Sequence, residues 1–84
     1  MNPIKILDKT LKSLKEHTAE NPLPKEVIFL NADILKSLTN RDKKLIVEKL
    51  IKDGYTDRIF INELDHYFIT FDGLLFIQKG GYKS

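Results

Sequence analysis

Residues 39–73, TNRDKKLIVEKLIKDGYTDRIFINELDHYFITFDG, contain most of the signals that decide the fold of this chain. Thr39 precedes an amphipathic run and is followed three residues later by Asp42, which is a variant of the capping box that begins helices. Asp53-Gly54 ends the run, because glycine tolerates the left-handed conformation at a helix C-terminus. The pattern predicts a helix over 39–53, with a buried face made of Ile46, Val47, Leu50 and Ile51.

Two strand-like runs and a last helix follow. Residues 55–61 alternate between two sides, and residues 67–69 give a second strand. The polar connection 62–66 predicts a hairpin between them. Thr70 then begins a helix that is apolar on nearly all sides, so we expect it to be buried on more than one side or to form a dimer contact. Gly80-Gly81 ends this helix. The last three residues are expected to be a tail, or a stump if the chain is a fragment of a longer protein.

The chain before residue 39 begins with a predicted helix over about 3–18, in which Pro3 suits the first turn. Its apolar residues recur at three- and four-residue spacing, as Ile4, Leu7, Leu11 and Leu14. Ile6 falls off this stripe and is therefore expected to be exposed or to face a second subunit. Residues 19–25, AENPLPK, are predicted to form a loop, because two prolines and an asparagine stop a helix.

The apolar run 27–30 fits either a short strand or the start of the next helix, because periodicity does not separate the two for so few residues. We expect the strand, since Asn31 would then be a good N-cap for a helix over 32–38. The core side of that helix would be made of Ile34, Leu35 and Leu38.

The composition predicts one domain over residues 1–84. With 42% hydrophobic and 31% charged residues, the chain is neither disordered nor membrane-embedded by composition. No apolar run approaches the roughly 18 residues of a membrane-spanning helix, and no apolar signal core begins the chain. The absence of cysteine excludes disulfides and thiol chemistry, and the cytoplasm is the expected location.

The net charge of +2 is unevenly distributed. Residues 39–58 contain six basic and four acidic residues, whereas residues 59–84 contain two basic and three acidic ones. The basic surplus therefore lies in the central helix and the first strand of the hairpin. This asymmetry suits an anionic partner.

Two segments resemble winged-helix transcription regulators. Residues 50–55, LIKDGY, look like the end of the recognition helix in those proteins, typically Leu-x-x-x-Gly-Tyr/Phe/Leu. Residues 67–73, YFITFDG, are similar to the Tyr-x-Leu-Thr-x-x-Gly segment that leaves the wing in MarR- and PadR-like regulators. The resemblance covers about residues 31–81. It implies an α+β fold with a three-helix core, a β-hairpin wing and a short C-terminal helix, and a third helix that reads duplex DNA in the major groove.

The chain also differs from those families. The predicted wing tip, residues 62–66, carries two acidic residues and neither lysine nor arginine. The long flanking dimerisation helices of MarR-like proteins are missing, and nothing in the sequence resembles an effector pocket.

The DNA hypothesis assigns contacts to basic residues of the third helix and of the first hairpin strand. Arginine would bind the edge of guanine and lysine would pair with phosphate, whereas Glu48 would repel phosphate unless it accepts from a cytosine amino group. Alternatively, the basic residues of the helix form a solvated charged face, and Arg58 forms a surface pair across the hairpin. The predicted contacts are Arg41, Lys43, Lys44, Lys49 and Arg58.

A protein-interaction module is the alternative function, with the third or last helix docking on another protein. Leu45, which lies on the polar side of the third helix, and the acidic wing tip favour it. A homodimer through the first or last helix is compatible with either function.

We expect no enzymatic activity, cofactor or metal. His17 and His66 lack ligand-spaced neighbours, and Asp65-His66 is not a nucleophile-base arrangement. No glycine-rich phosphate loop occurs, because Gly80-Gly81 has neither the strand before it nor the helix after it.

Overall fold

The computed structural model describes residues 2–83. Within that range it contains five α-helices and a three-stranded antiparallel sheet, which make it a small α+β fold. In chain order the elements are α1 (Pro3–Ser13), β1 (Leu23–Pro24), α2 (Lys25–Ile28), α3 (Asp33–Lys36), α4 (Asn40–Lys52), β2 (Thr56–Ile61), β3 (Leu64–Ile69) and α5 (Phe71–Gln78), followed by a 3₁₀ turn over Gly81–Lys83.

The sheet has the strand order β1-β3-β2, so β2 has a free edge. The hairpin register runs from Thr56 opposite Ile69 to Ile61 opposite Leu64. Strand β3 is longer than predicted and begins at Leu64, because the turn consists only of residues 62 and 63. At the free edge, the N–H of Arg58 donates to Oδ1 of the adjacent Asp57 at 2.8 Å.

Helix α1 is shorter than the predicted range 3–18. It ends at Ser13, and a turn over 14–16 follows. The carbonyl oxygen of His17 accepts a hydrogen bond of 2.8 Å from the N–H of Ile69 on β3. The prediction was wrong because the chain leaves the helix to contact the sheet, and helical periodicity carries no signal for such a long-range bond.

The buried side of α1 also differs from the prediction. Ile6 is only 2% exposed, whereas Ile4 of the predicted stripe is 49% exposed. Helices α3, α4 and α5 and the 3₁₀ turn all contact α1, so they bury a wider arc than the apolar stripe indicates.

A strand lies where a loop was predicted. β1 is part of the segment 19–25, and it pairs with β3 so that Leu23 lies opposite Tyr67 and Pro24 opposite His66. A proline is tolerated here because β1 is an edge strand and needs no complete ladder of N–H donors.

The apolar run 27–30, predicted as a strand, instead forms the end of α2 and a turn. Ile28 and Phe29 are both fully buried, while the residues on either side of them are exposed. Two consecutive buried residues fit one side of a helical turn, whereas a strand would alternate.

Asn31 does not cap the next helix. Its side-chain Nδ2 donates to the carbonyl oxygen of Ile28 at 3.1 Å, and α3 begins after Ala32 without a side-chain cap. The side of α3 that faces the core is nevertheless the predicted one: Leu35 is buried and Ile34 and Leu38 pack against the core.

The predicted caps of the two later helices are confirmed. Thr39 Oγ1 accepts from the N–H of Asp42 at 3.1 Å, and Gly54 has φ 83° just after α4. Thr70 Oγ1 accepts from the N–H of Gly73 at 3.0 Å and donates to the carbonyl oxygen of Gly54 at 2.6 Å. One threonine therefore both begins α5 and ties it to the end of α4.

The buried hydrophobic residues form one cluster, to which α1, α4 and the sheet contribute most of the members. They are Ile6, Leu7, Leu11, Leu14, Ile28, Phe29, Leu35, Ile46, Val47, Leu50, Tyr67 and Ile69.

Helix α5 is covered only in part. Leu74, Phe76 and Ile77 pack against the core, but Phe71 is 74% and Leu75 38% exposed. The chain by itself therefore covers α5 incompletely, and the dimer contact expected there stays a prediction. None of the helices formed by residues 2–83 has the length and apolarity needed to cross a membrane.

Candidate nucleic-acid interface

Helix α4 has one face fixed in the core and one face open. Ile46, Val47 and Leu50 are buried, as their spacing predicted. The opposite face carries Arg41 and Lys44 in the first two turns, and both side chains are exposed. Neither makes an ion pair with any residue of the range 2–83. Their full positive charge therefore remains available to a ligand.

Lys43 is turned away from this open face. Its side chain is 15% exposed, and Nζ lies 3.7 Å from a carboxylate oxygen of Glu26 and 5.8 Å from the ring centre of Phe29. Lys43 on α4 therefore lies against Glu26 of α2 and against Phe29, which follows α2. Of the five predicted contact residues, Lys43 is thus the one that the structure places largely inside.

Lys49 is exposed but has an acidic neighbour one turn later. Its Nζ lies 3.0 Å from Oδ1 of Asp53, and Oδ2 of Asp53 accepts from the hydroxyl of Tyr82 at 2.7 Å. Burial by itself would raise the pKa of Asp53, but the hydrogen bonds from Tyr82 and Lys49 outweigh it, so the pKa lies below its ordinary value. The carboxylate remains ionised and offsets part of the charge of Lys49.

Arg58 and Glu48 neutralise each other. Nη2 of Arg58 on β2 lies 2.9 and 3.0 Å from the two carboxylate oxygens of Glu48 on α4. The hydrogen bond to Glu48 raises the pKa of Arg58. The partner of Arg58 is therefore on the helix and not across the hairpin, and the acidic residue expected to repel phosphate is already paired.

The hairpin tip carries acidic and apolar side chains. The turn residues Asn62 and Glu63 both have positive φ, 51° and 64°. Phe60 is 68% and Leu64 53% exposed on the strands that flank the turn. Neither lysine nor arginine lies between residues 59 and 66, so the tip has no cation with which to approach a phosphate backbone.

The ring of each histidine lies within hydrogen-bond distance of a nearby backbone carbonyl oxygen. Nδ1 of His17 is 2.9 Å from the carbonyl oxygen of Asn21, and Nδ1 of His66 is 2.9 Å from that of Leu64. The described part of the chain brings no three histidine, cysteine or acidic side chains together as a metal would require.

Tyr82 makes a set of contacts that we call the Tyr82 clasp. These contacts were not predicted from the sequence, where a tail was expected. The N–H of Tyr82 donates to Oδ1 of buried Asp8 at 3.2 Å, its hydroxyl donates to Asp53, and its ring packs edge-on against Tyr55 and Phe76. Burial, followed by the hydrogen bond to Asp53, raises the pKa of the Tyr82 hydroxyl. Ser84 lies outside the described residues.

One signal in the sequence pointed to the clasp. Asp8 lies at the edge of the apolar stripe of α1, next to Leu7, and a buried carboxylate needs partners. A side chain at Gly81 would collide with Oδ1 of Asp8, which explains why glycine stands before Tyr82.

Comparisons of this chain with models of protein families, with curated proteins and with solved structures find no match.

Proposed function

We propose that this chain is a small, non-enzymatic winged-helix domain that binds duplex DNA with the exposed face of α4, in the manner of a transcription regulator. The order helix, short strand, three helices, hairpin and helix supports this proposal. So does the position of the two motifs, since LIKDGY spans the end of α4 and YFITFDG joins β3 to α5. The lack of cysteine fits the reducing cytoplasm, which we propose as the location.

The observation that carries the proposal is the pair of exposed, unpaired cations on α4. The helix has 13 residues and is about 10–12 Å across with its side chains, close to the roughly 12 Å width of the major groove. Arg41 has the fork geometry that binds guanine, and Lys44 is a point charge for phosphate. Lys52, exposed at the other end of the same helix, would contact phosphate as well.

The remaining predicted contacts have smaller roles in this proposal. Lys49 and Arg58 each have a carboxylate partner, so each would have to give up an ion pair in order to contact phosphate. Lys43 supports α2 and makes no contact with DNA.

The test is fluorescence anisotropy of labelled random duplex DNA at about 50 and 200 mM salt, a range over which phosphate contacts lose affinity steeply. We expect the wild-type protein to bind at the lower salt and to weaken at the higher. The double variant Arg41→Ala/Lys44→Ala should bind more weakly, and its salt slope should fall by about 0.9 for each phosphate that it no longer neutralises.

The matched control is Lys15→Ala/Lys79→Ala, which removes the same charge from exposed, unpaired positions outside α4. It should keep both the affinity and the slope. Equal losses in the two variants would mean that net charge alone binds DNA, and would reject the assignment to α4. No binding of the wild type at about 50 mM salt would reject DNA as the partner.

A protein-interaction module is the second candidate, because α4 and the hairpin tip both carry exposed apolar residues. Leu45 on α4 is 54% exposed, and Phe60 at the hairpin tip is 68% exposed beside acidic Asp65. Such a mixture suits a protein surface better than a phosphate backbone. Leu45→Ser should leave duplex affinity within about twofold if Leu45 has no DNA role, whereas a protein ligand that packs on Leu45 would bind the variant more weakly.

A further inference from the structure

A second positively charged surface lies away from the open face of α4. It is a groove of about 440 Å³ between α1, the turn that precedes α3, and the 3₁₀ turn. We call it the lysine groove; its lining residues are Lys5, Asp8, Lys9, Lys12, Ser13, Asn31, Ala32 and Lys83. Four of these are lysines and one is acidic, so the groove has a surplus of three positive charges.

The carboxylate of Asp8, which lines the groove, already has two partners. Oδ2 of Asp8 lies 2.9 Å from Nζ of Lys12, and Oδ1 accepts from the N–H of Tyr82. Its side chain is only 4% exposed, so it presents almost no negative surface to the groove. Lys5, Lys9 and Lys83 make no ion pair with any of residues 2–83.

The three lysines of α1 form a row. Positions 5, 9 and 12 repeat at four and three residues, which places them on one side of a helix. They extend over about 10.5 Å along its axis at 1.5 Å per residue. Like charges at this spacing repel one another, and inside a concave surface their field adds at one place.

We propose that the lysine groove binds an anion made of linked phosphate groups, such as an inorganic or nucleoside polyphosphate. Lysine binds phosphate as a mobile point charge, so no rigid planar partner is required. A ligand with several phosphates meets the spread of charge along α1 better than a single phosphate does. The concave shape suits a small ligand, which distinguishes this site from the open helix face assigned to duplex DNA. The proposal does not depend on DNA binding.

The test is isothermal titration calorimetry of the whole chain with sodium tripolyphosphate at about 50 mM salt. We expect saturable binding to the wild type, and at least tenfold weaker binding to Lys5→Gln/Lys9→Gln. Both side chains are exposed and unpaired, so the fold should survive, which circular dichroism checks. Sulfate at the same ionic strength should give no saturation.

The matched control is Lys15→Gln/Lys79→Gln, which removes the same charge from exposed, unpaired positions outside both the lysine groove and α4. Its affinity for tripolyphosphate should stay within about twofold of the wild-type value. Equal losses in the two variants, saturation by sulfate, or no binding by the wild type would each overturn the proposal. Failure to bind duplex DNA would leave these expectations unchanged, because the two surfaces are changed by different variants.

Titration with adenosine triphosphate is a second experiment, which distinguishes an inorganic polyphosphate from a nucleoside polyphosphate as the ligand. Binding equal to that of tripolyphosphate would assign recognition to the phosphates alone, and tighter binding would add the nucleoside to the ligand. In both cases Lys5→Gln/Lys9→Gln should reduce the affinity at least tenfold. If Lys5→Gln/Lys9→Gln kept the wild-type affinity for both compounds, the lysine groove would be rejected as the binding site.

Discussion

Gly73 is a residue whose lack of a side chain allows two elements to meet. It is buried in the first turn of α5, and a Cβ there would collide with the carbonyl oxygen of Tyr55 and lie 2.7 Å from Cγ1 of Ile69. Because the first obstacle is backbone, a rotamer change cannot relieve it. The segment YFITFDG ends in glycine for this steric reason.

Gly73→Ala should therefore lower the free energy of unfolding by about 1–3 kcal/mol, the usual range for overpacking. Urea denaturation followed by circular dichroism measures it. Gln78→Ala, an exposed change in the same helix, should stay within about 0.5 kcal/mol of wild type. A Gly73→Ala protein as stable as wild type would contradict this close approach of α5 to Tyr55.

The hydroxyl of Tyr82 makes the stability of the fold depend on pH. The pKa of Asp53 lies below its ordinary value of 3.8, so folding favours the carboxylate. That contribution is fully present above the pKa of the unfolded chain and is lost as the pH falls through the folded pKa. Burial and the bond to Asp53 raise the pKa of Tyr82, which keeps its proton available throughout this range.

Tyr82→Phe should lower the free energy of unfolding by about 1 kcal/mol at pH 7, the typical net value of one hydrogen bond. The difference from wild type should shrink as the pH falls below 3.8. Denaturant titrations from neutral pH down into the acid range below that value would follow it. Tyr67→Phe is the control, since its hydroxyl makes no hydrogen bond with residues 2–83, and a pH-dependent difference there would count against the assignment.

At the scale of elements, the starts of α4 and α5 were predictable from a local signal, whereas the cap expected at Asn31 was wrong. Thr39 and Thr70 cap the helices that they were expected to cap, because the cap and its partner N–H lie within three residues. The strand at Leu23–Pro24 and the end of α1 were not predictable in this way. Both depend on pairing with β3, more than forty residues later in the chain.

The open face of α4 was likewise predictable only where the signal is local. The exposure of Arg41 and Lys44 followed from the helical wheel of α4. The inward position of Lys43 also follows from the wheel, because Lys43 lies three and four residues before the buried Ile46 and Val47. Its contacts with Glu26 and Phe29 were not predictable, because a turn of helix forms where a strand was predicted. The pairing of Arg58 with Glu48 likewise joins two elements.

The hairpin turn contains a replaceable source of strain. Asn62 and Glu63 both have positive φ, as a two-residue turn of this hand requires, and asparagine tolerates it far better than glutamate. Glu63→Gly should raise the free energy of unfolding by about 0.5–1 kcal/mol, since a left-handed residue with a Cβ is disfavoured by roughly 1–2 kcal/mol. Thermal unfolding would measure it. Glu63→Ala retains the Cβ and should give no such gain.

On the scale of the whole molecule, apolar surface remains on α5. Phe71 and Leu75 are exposed beside a groove of about 380 Å³, which they line together with Leu74, Ile77, Lys15 and Gln78. Helix α1 presents Ile4 on another side. These residues match the two helices that were expected to form a dimer, which stays a prediction.

If α5 forms the dimer, Phe71→Glu should give a monomer in sedimentation velocity, while Ile4→Glu leaves the dimer intact. Both positions are exposed, so neither change should unfold the chain. The reverse result would assign the interface to α1. A wild-type protein that sediments as a monomer at about 100 μM, well above the micromolar range of ordinary specific association, would reject the dimer altogether.

The hydrogen bond from the N–H of Arg58 to the side chain of Asp57 has a consequence for how the protein behaves in concentrated solution. Strand β2 is otherwise an open template: residues 56–61, TDRIFI, are rich in β-formers and contain no proline or lysine. Another chain adding itself to this edge would need the N–H that Asp57 already occupies. The carboxylate thus interrupts the template at its middle, and it places a negative charge there that repels the next copy. We therefore expect Asp57 to hinder the addition of a further strand at this edge.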